Sequence, residues 1–364
     1  MLQNINFTTL GMYFFTFMKR GQASLKDIAK ALNISISTVS RALRGMGEVK
    51  PETRKAVLEL ADEWKYKPNP LALALLKDKT NTIGVILPEI ESYYFASILK
   101  GINELALERG YRIITCYSNE SVEGEKRAID DLLFSRVDGI IACPANDLVD
   151  YSHYDYLQRE LVPFVHIDRD CPGLQAHKVL TNNFNATKSV VNYLYSTGCK
   201  RIALIANLDL LAVGRQRYEG YIDALKDNNL PFDRDLIIHG NLGTSTSEEA
   251  TKYLLALSPL PDSIICNNDS VAMAVMKMIK ERGYSIPDDI SVVGFSDDPF
   301  SSFLEPSLTT VAQPAYLIGM KALEVMLDIL DEKIPIIIEN RIVVDSALKV
   351  RKSTRPILKE VNNL

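Results

Sequence analysis

A chain of 364 residues that is 47% hydrophobic can bury large cores, which predicts an ordinary soluble protein with more than one domain. Its formal net charge of −5 hides an asymmetry, because residues 18–79 carry 13 Lys and Arg against 7 Asp and Glu while the remainder is acidic. Only this N-terminal segment is therefore expected to attract a polyanion.

The cysteines and histidines give no sign of a metal centre. The four histidines lack metal-ligand spacing, and no Cys-x-x-Cys occurs. We therefore expect no metal, no cofactor and a reducing cytoplasm around the five scattered cysteines, which are Cys116, Cys143, Cys171, Cys199 and Cys266.

The first 22 residues contain an apolar run over residues 10–18. This run is far shorter than the roughly 20 residues that span a bilayer. Lys19 and Arg20 follow it, whereas a secretory signal places its cations first. We interpret residues 1–22 as a disordered or non-native N-terminal extension, with Met18 as an alternative start of translation.

Two short amphipathic helices are predicted on either side of Asn33, with Ser35 as the N-cap of the second. This spacing is typical of a helix-turn-helix, whose second helix enters the major groove of DNA. The outer face of the second helix suits phosphates and base edges, and it carries Ile36, Ser37, Thr38, Ser40, Arg41 and Arg44. The alternative is an ordinary helical hairpin with a solvated face.

A third helix is predicted from Pro51 to Trp64, and it closes an all-α DNA-binding headpiece over residues 23–69. The segment 71–76 favours a short helix after two prolines. So few residues cannot hold a helix alone in water, because nucleation is unfavourable. We therefore expect residues 70–80 to form a hinge helix and linker that needs a partner.

From Thr82 onward, apolar strands alternate with amphipathic helices, which predicts an α/β core of two doubly wound parallel-sheet lobes over residues 81–352, with a C-terminal tail at 353–364. The predicted strands are 83–87, 112–116, 139–143, 163–167, 201–206, 236–239, 263–266 and 291–295. Helices are predicted near Tyr94, Val122, Leu148, Ala186, Arg217, Ser247 and Ser270. A final helix at 316–330 and a strand at 336–344 should complete the first lobe and then the second.

No phosphate-binding loop, nucleophile elbow or His-Glu metalloprotease motif follows any strand, so catalysis has no sequence support. Single polar residues follow the strands instead, and ligands of paired lobes bind at such strand ends. They are Asp168, Arg169, Asn207, Asn267, Asn268, Asp269, Ser296 and Asp297. Each could equally be a helix cap or a turn residue.

Several motifs in one order resemble the lactose-repressor (LacI/GalR) family of bacterial transcription regulators. They are Asp27-Ile28-Ala29, residues 37–43, Tyr66-x-Pro68-Asn69, residues 82–85, residues 137–140, Arg217-x-x-Gly220-Tyr221, Asn268-Asp269, residues 290–295 and residues 308–311. The resemblance implies a homodimer whose paired headpieces bind a palindromic operator, and a core related to periplasmic sugar-binding proteins.

Carried over by residue, the resemblance places Ser35, Ile36, Ser37, Ser40, Arg41 and Arg44 at the major groove or its phosphates. Thr38 and Asn69 complete the predicted DNA-binding set. Leu75 would be the hinge leucine that opens a central base step in the minor groove.

The resemblance also implies an effector cleft formed by Tyr94, Phe95, Arg217, Asn268, Ser296 and Gln313. Asp168 joins this set because it follows a strand. Relatives often have an aspartate at the position of Ser296, so we hypothesise that Asp297 supplies the missing carboxylate.

The sequence thus predicts a cytoplasmic transcriptional repressor that binds double-stranded operator DNA and has no membrane partner. A sugar or sugar derivative is the favoured effector, ahead of a nucleobase or another polar metabolite. The alternatives are a periplasmic-type sugar-binding protein and a Rossmann-like enzyme. The first would lack residues 24–76 and carry a signal peptide.

Overall fold

The computed structural model describes residues 23–47, 49–66, 79–145, 151–207, 212–239 and 244–358. The chain divides into two compact units with the boundary between Thr80 and Asn81. The predicted extension at residues 1–22, the hinge segment with Asn69 and Leu75, and the predicted helix start at Leu148 lie outside the described residues.

The described residues of the first unit form three helices: α1 (Leu25–Ala31), α2 (Ile36–Arg44) and α3 (Pro51–Glu63). Asn33 turns the chain between α1 and α2 with a φ of 51°. Helix α2 ends at Gly45, whose φ of 70° lies in the left-handed region that glycine adopts without strain. The predicted helix-turn-helix is therefore present.

Two of the three described helix starts in this unit carry a side-chain cap, and the cap at Ser35 was predicted from the sequence. Ser24 and Asp27 form a reciprocal capping box at α1. Ser35 caps α2 as predicted, whereas Lys50 precedes α3 without a side-chain cap and Pro51 occupies the first turn. A small core holds the helices together, with Ile28, Val39, Val57 and Trp64 buried at its centre.

The second unit begins with a lobe whose elements alternate as predicted. The elements are β1 (Thr82–Leu87), α4 (Tyr93–Glu108), β2 (Arg112–Tyr117), α5 (Val122–Phe134), β3 (Gly139–Ala142), α6 (Ser152–Arg159), β4 (Phe164–Ile167) and β5 (His177–Thr181). The chain then enters a second lobe.

The second lobe repeats this pattern. Its elements are α7 (Asn183–Ser196), β6 (Ile202–Ala206), α8 (Ala212–Asp227), β7 (Ile237–His239), α9 (Thr244–Ala256), β8 (Ser263–Ile265), α10 (Asp269–Glu281), β9 (Ser291–Phe295) and β10 (Thr309–Ala312). Three elements follow both lobes: α11 (Ala315–Leu330), β11 (Asn340–Val344) and β12 (Ala347–Lys349).

Each lobe is built on one six-stranded sheet. The first has the order β11-β5-β4-β3-β1-β2 with all strands parallel. The second has the order β12-β10-β9-β8-β6-β7, and only β12 is antiparallel to its neighbour. Apolar cores cover both faces of each sheet, as expected for doubly wound parallel sheets. The predicted fold class is confirmed.

The chain passes between the lobes three times, after β5, after β10 and after β11. Helix α11 returns to the first lobe as predicted, and strand β11 also joins the first lobe. The second lobe is completed instead by β12, a strand that the sequence did not predict. At one crossing, the side-chain amide of Asn182 donates to Asp345 at 3.1 Å. The strand ends that face these crossings define the cleft between the lobes.

Some boundaries differ from the sequence prediction. Strands β5, β10 and β12 were not predicted, and the last predicted strand is shortened to Asn340–Val344. The predicted tail also begins too early, because Ser353 and Thr354 are buried in the second lobe. Ser353 accepts a hydrogen bond from the Thr309 amide at 2.8 Å and donates to the Val292 carbonyl at 2.6 Å.

Candidate functional site

The N-terminus of α2 carries a cluster of hydroxyl groups. The Ser35 hydroxyl accepts from the Thr38 amide at 3.1 Å and lies 2.8 Å from the Thr38 hydroxyl. It also lies 2.7 Å from the hydroxyl of Ser37. These bonds fix the first turn of α2. The remaining free backbone amides at this end of the helix can bind an anion such as a phosphate.

Two arginines lie in the last turn of α2, which contains no acidic residue. Arg44 donates to the Ser40 hydroxyl at 2.6 Å and is thereby fixed along the helix. Arg41 is exposed, and its guanidinium makes no hydrogen bond or ion pair with any other residue that the structure describes. This face therefore presents cations to a polyanion.

The structure places seven predicted DNA-binding residues on or at the outer side of α2. They are Ser35, Ile36, Ser37, Thr38, Ser40, Arg41 and Arg44, and each is exposed or half-buried. Val39 and Ala42 point into the core of the unit. The separation of these two faces matches the sequence pattern.

The first lobe contributes a hydrogen-bonded pair to the cleft. Tyr94, in the first turn of α4, donates its hydroxyl to Asp168 at 2.6 Å. Asp168 directly follows β4, and both side chains are buried. Burial, together with the adjacent Asp168 carboxylate, raises the pKa of Tyr94, so its hydroxyl stays protonated as a donor. Phe95 packs edge-on against Tyr94 with ring centroids 5.4 Å apart.

Arg169 forms a second cluster beside this pair. Its guanidinium donates to both carboxylate oxygens of Glu120 at 2.7 Å and to the Pro144 carbonyl at 2.8 Å. The guanidinium carbon also lies 5.9 Å from the centroid of the Phe95 ring. This bidentate pair joins the ends of β2, β3 and β4 and so fixes one wall of the cleft.

The second lobe contributes Arg217, which is buried in α8. Its Nε donates to Asn183 Oδ1 at 3.0 Å, and its Nη1 donates to the Asn267 carbonyl at 2.6 Å. The guanidinium lies over the Phe295 ring, 4.1 Å from the ring centroid. These three contacts leave Arg217 in one orientation, as a rigid fork of donors requires for recognition.

Charge on the two lobes is complementary across the cleft. Burial lowers the pKa of Arg217 to about 10, and the negative charge of Asp168 acts in the opposite direction. Arg217 therefore remains charged at neutral pH. Because Asp168 belongs to the first lobe and Arg217 to the second, opposite charges on the two lobes interact across the cleft.

Other predicted cleft residues have different local roles. The Asn268 side chain accepts from the Val271 amide at 2.9 Å and caps α10. The Ser296 hydroxyl donates to the Phe295 carbonyl, and Gln313 is half-buried at a crossing between the lobes. Asp297 pairs with Lys349 at 2.5 Å and Arg351 at 2.6 Å. Its carboxylate is thus bound by two cations of its own lobe, whereas Asp168 is the carboxylate whose charge acts on Arg217.

Asn183 and Glu120 were not predicted as site residues, whereas Arg169 and Asn267 were named as strand-end candidates but not placed in the predicted effector cleft. Asn183 follows β5, a strand whose polar residues His177 and Lys178 concealed it. The other three follow predicted strands, so their position was the available signal. The sequence did not show which strand-end residues form hydrogen bonds with one another.

Within the described parts of the chain, no cluster of three His, Cys, Asp or Glu side chains could hold a metal ion. Likewise, no described helix has the length and apolar character needed to cross a membrane.

A helix-turn-helix with a hydroxyl- and arginine-bearing second helix, joined to a two-lobed binding-protein core, defines a DNA-binding transcription regulator. Residues 24–69 match the family model described as bacterial regulatory proteins, lacI family, and residues 191–354 match the periplasmic binding protein-like domain. The chain belongs to the LacI family of transcription regulators, which are not enzymes.

Individual relatives agree with this assignment. The HTH-type transcriptional repressor CytR of Escherichia coli K12 is 32% identical over 306 residues, which are 84% of this chain and 89% of CytR. The Lac repressor dimer bound to operator and the anti-inducer ONPF has a TM-score of 0.81 at 25% identity and covers 92% of this chain and 100% of its own. The CelR–cellobiose complex has a TM-score of 0.69 at 26% identity, with 91% and 100% covered.

Proposed function

We propose that this protein is a transcriptional repressor that binds a palindromic operator as a homodimer and is controlled by a small polar effector, a sugar or sugar derivative. It acts in the cytoplasm, where the DNA that it regulates lies. In this proposal residues 23–69 bind DNA, residues 70–80 form the hinge, and residues 81–352 bind the effector and dimerise.

Helix α2 is the proposed reading element. Its N-terminal residues approach base edges, as in other helix-turn-helix proteins, and its hydroxyls and arginines bind phosphates and bases. By resemblance to the family, Leu75 is assigned to the minor groove and Asn69 to the DNA-binding set. The Lac repressor structure, which is a dimer on its operator, supports the twofold arrangement and a palindromic site.

The observation that carries the effector proposal is the arrangement of Arg217. Its Nε and Nη1 are held by Asn183 and Asn267, while Nη2 has no hydrogen-bond partner among the described residues. A ligand hydroxyl can accept from Nη2 and donate to Asp168 across the cleft. Such a bridge suits a polyhydroxy compound, and the cellobiose in the CelR complex is one.

Effector binding would connect the two lobes through Asp168 and Arg217 and so favour one lobe arrangement. The coupling between effector and DNA sites is typically about 1–3 kcal/mol, or roughly 5–150-fold in DNA affinity. Asn268, Ser296, Asp297, Gln313 and Phe95 would border this ligand and set its shape.

Selection of bound fragments from random double-stranded DNA tests the DNA part. We expect enrichment of two mirrored half-sites, and loss of that enrichment in Arg41→Ala. Lys55→Ala is the matched control, because Lys55 is an exposed cation on the neighbouring helix α3. Enrichment without any mirrored pattern would contradict the proposal of a dimer on a palindrome.

A thermal-shift panel of mono- and disaccharides, sugar acids and nucleosides tests the effector part. We expect at least one polyhydroxy compound to raise the melting temperature of the wild type. Arg217→Met should abolish that shift, whereas Arg282→Met should retain it because Arg282 is exposed. A shift from nucleosides alone would contradict the sugar assignment.

A further inference from the structure

The reading helix α2 has a restricted chemistry. It contains no Asn, Gln, Asp or Glu. Asn and Gln are the side chains that bind adenine through two hydrogen bonds, and Asp and Glu accept from the amino group of cytosine. Helix α2 therefore lacks the usual readers of both bases.

Ile36 is the unusual residue of this surface. It is the first residue of α2, and it is 48% exposed although it is large and apolar. It belongs neither to the buried core of its unit nor to the partly buried residues packed on that core. Exposure of a β-branched apolar side chain to water does not stabilise the helix. Packing within the unit therefore does not explain why an isoleucine stands at position 36.

The hydroxyls around Ile36 are already engaged with one another. Those of Ser35, Ser37 and Thr38 form one hydrogen-bonded group, and the Ser40 hydroxyl accepts from Arg44. The first turn of α2 therefore offers an apolar contact at Ile36. Arg41 follows 5 residues later as the cation without a partner in the described chain.

In the major groove only thymine presents a methyl group, and apolar side chains contact it. We propose that Ile36 determines specificity by packing against the 5-methyl group of a thymine in each operator half-site. This inference rests on the proposed function. It also predicts that, among the apolar and charged side chains of α2, Ile36 selects thymine and Arg41 selects guanine.

Deoxyuridine substitution tests the inference because uracil lacks only the methyl group. The full chain is assayed on the site recovered from random DNA, with each thymine replaced by deoxyuridine in turn. Loss of one buried methyl group should weaken binding about fourfold at one thymine per half-site. When both half-sites are changed together, the expected loss is about fifteenfold.

Protein variants show whether Ile36 is the reader. In Ile36→Ser the thymine-to-uracil ratio at that position should fall from about fourfold to about one, while Ile36→Val should retain most of it. Leu58→Ser is the matched control, because Leu58 is 45% exposed on α3 in the same unit, and it should leave the ratio unchanged.

The outcomes separate the two proposals. If random DNA yields a mirrored site, a methyl effect at one thymine per half-site that disappears in Ile36→Ser supports the inference. If the site is recovered but no thymine is sensitive, or the sensitivity persists in Ile36→Ser, the inference is overturned and the proposed function stands. If no site is recovered, the proposed function fails and the inference fails with it.

Discussion

His166 lies fully buried on β4, between the rings of Tyr154 and Phe164. Among the described residues, neither of its ring nitrogens has a hydrogen-bond partner. Burial lowers the pKa of His166 to about 3, and the electrostatic effect of the neighbouring Lys178 and His153 acts in the same direction. The folded protein therefore holds this imidazole neutral at a pH where the unfolded chain would protonate it.

The sign of the resulting pH dependence follows from proton linkage. Because the pKa is lower in the folded state, the unfolded state binds the proton more tightly between pH 6.5 and about 3. The contribution of the neutral His166 to stability is therefore fully present above pH 6.5 and is lost as the pH falls below that value. From about pH 7.5 to about pH 4 the loss from this one group should be about 3 kcal/mol.

His166→Phe should remove this loss, since phenylalanine fits the aromatic surroundings and has no proton to bind. We expect the decline in the free energy of unfolding to be about 3 kcal/mol smaller than in the wild type, as measured by urea unfolding at both pH values. His239→Phe, at an exposed position, should retain the wild-type decline. Equal declines in His166→Phe and wild type would contradict this account.

The individual residues of the reading helix could be predicted from the sequence, because capping and helical periodicity are local. Ser35, Arg41 and Arg44 lie where that pattern placed them. The surroundings of Arg217 could not be predicted in this way. Asn183 is 34 positions from Arg217 and Asn267 is 50 positions away, so their contacts depend on how two separate strands end.

At the scale of elements, α4 and α11 cross at two glycines. A Cβ on Gly101 would lie 2.2 Å from the Tyr316 carbonyl oxygen, and one on Gly319 would lie 2.1 Å from the Ile98 carbonyl oxygen. Both obstacles are backbone atoms, which cannot rotate away. The first lobe therefore depends on close approach of these helices, which no local pattern in either helix reveals.

Gly101→Ala should destabilise the protein by about 1–3 kcal/mol, because the added methyl group forces the two helices apart. Leu107→Ala is the control on α4. Leu107 is 77% exposed, and its loss should change the free energy of unfolding by no more than about 0.5 kcal/mol. If Gly101→Ala and the control have the same free energy of unfolding, the two helices can move apart without loss of stability, which would contradict this prediction.

The elements that the sequence missed have physical explanations. Strand β5 contains Lys178, a fully buried cation that pairs with Asp170 at 2.9 Å, so its polarity conceals a core strand. Strands β10 and β12 are short and gain their hydrogen bonds from each other and from β9. Such pairing is decided by tertiary structure and not by local preference.

In the whole molecule, three passages of the chain between the lobes join both lobes into one compact unit. Alternation of strands and helices predicted the two lobes, and the late elements predicted the return of the chain. Neither the operator nor the effector follows from such patterns, because both depend on the shapes of surfaces assembled from distant segments. The proposed function requires above all that the N-terminal unit recognises a DNA sequence.

The most direct test is the ratio of dissociation constants for the selected mirrored site and for a shuffled duplex of equal length, measured with the full chain at about 0.15 M salt. The account predicts a ratio of about 1,000 or more, as for sequence-specific regulators. A ratio near one, with binding to both duplexes lost together as salt rises, would contradict it.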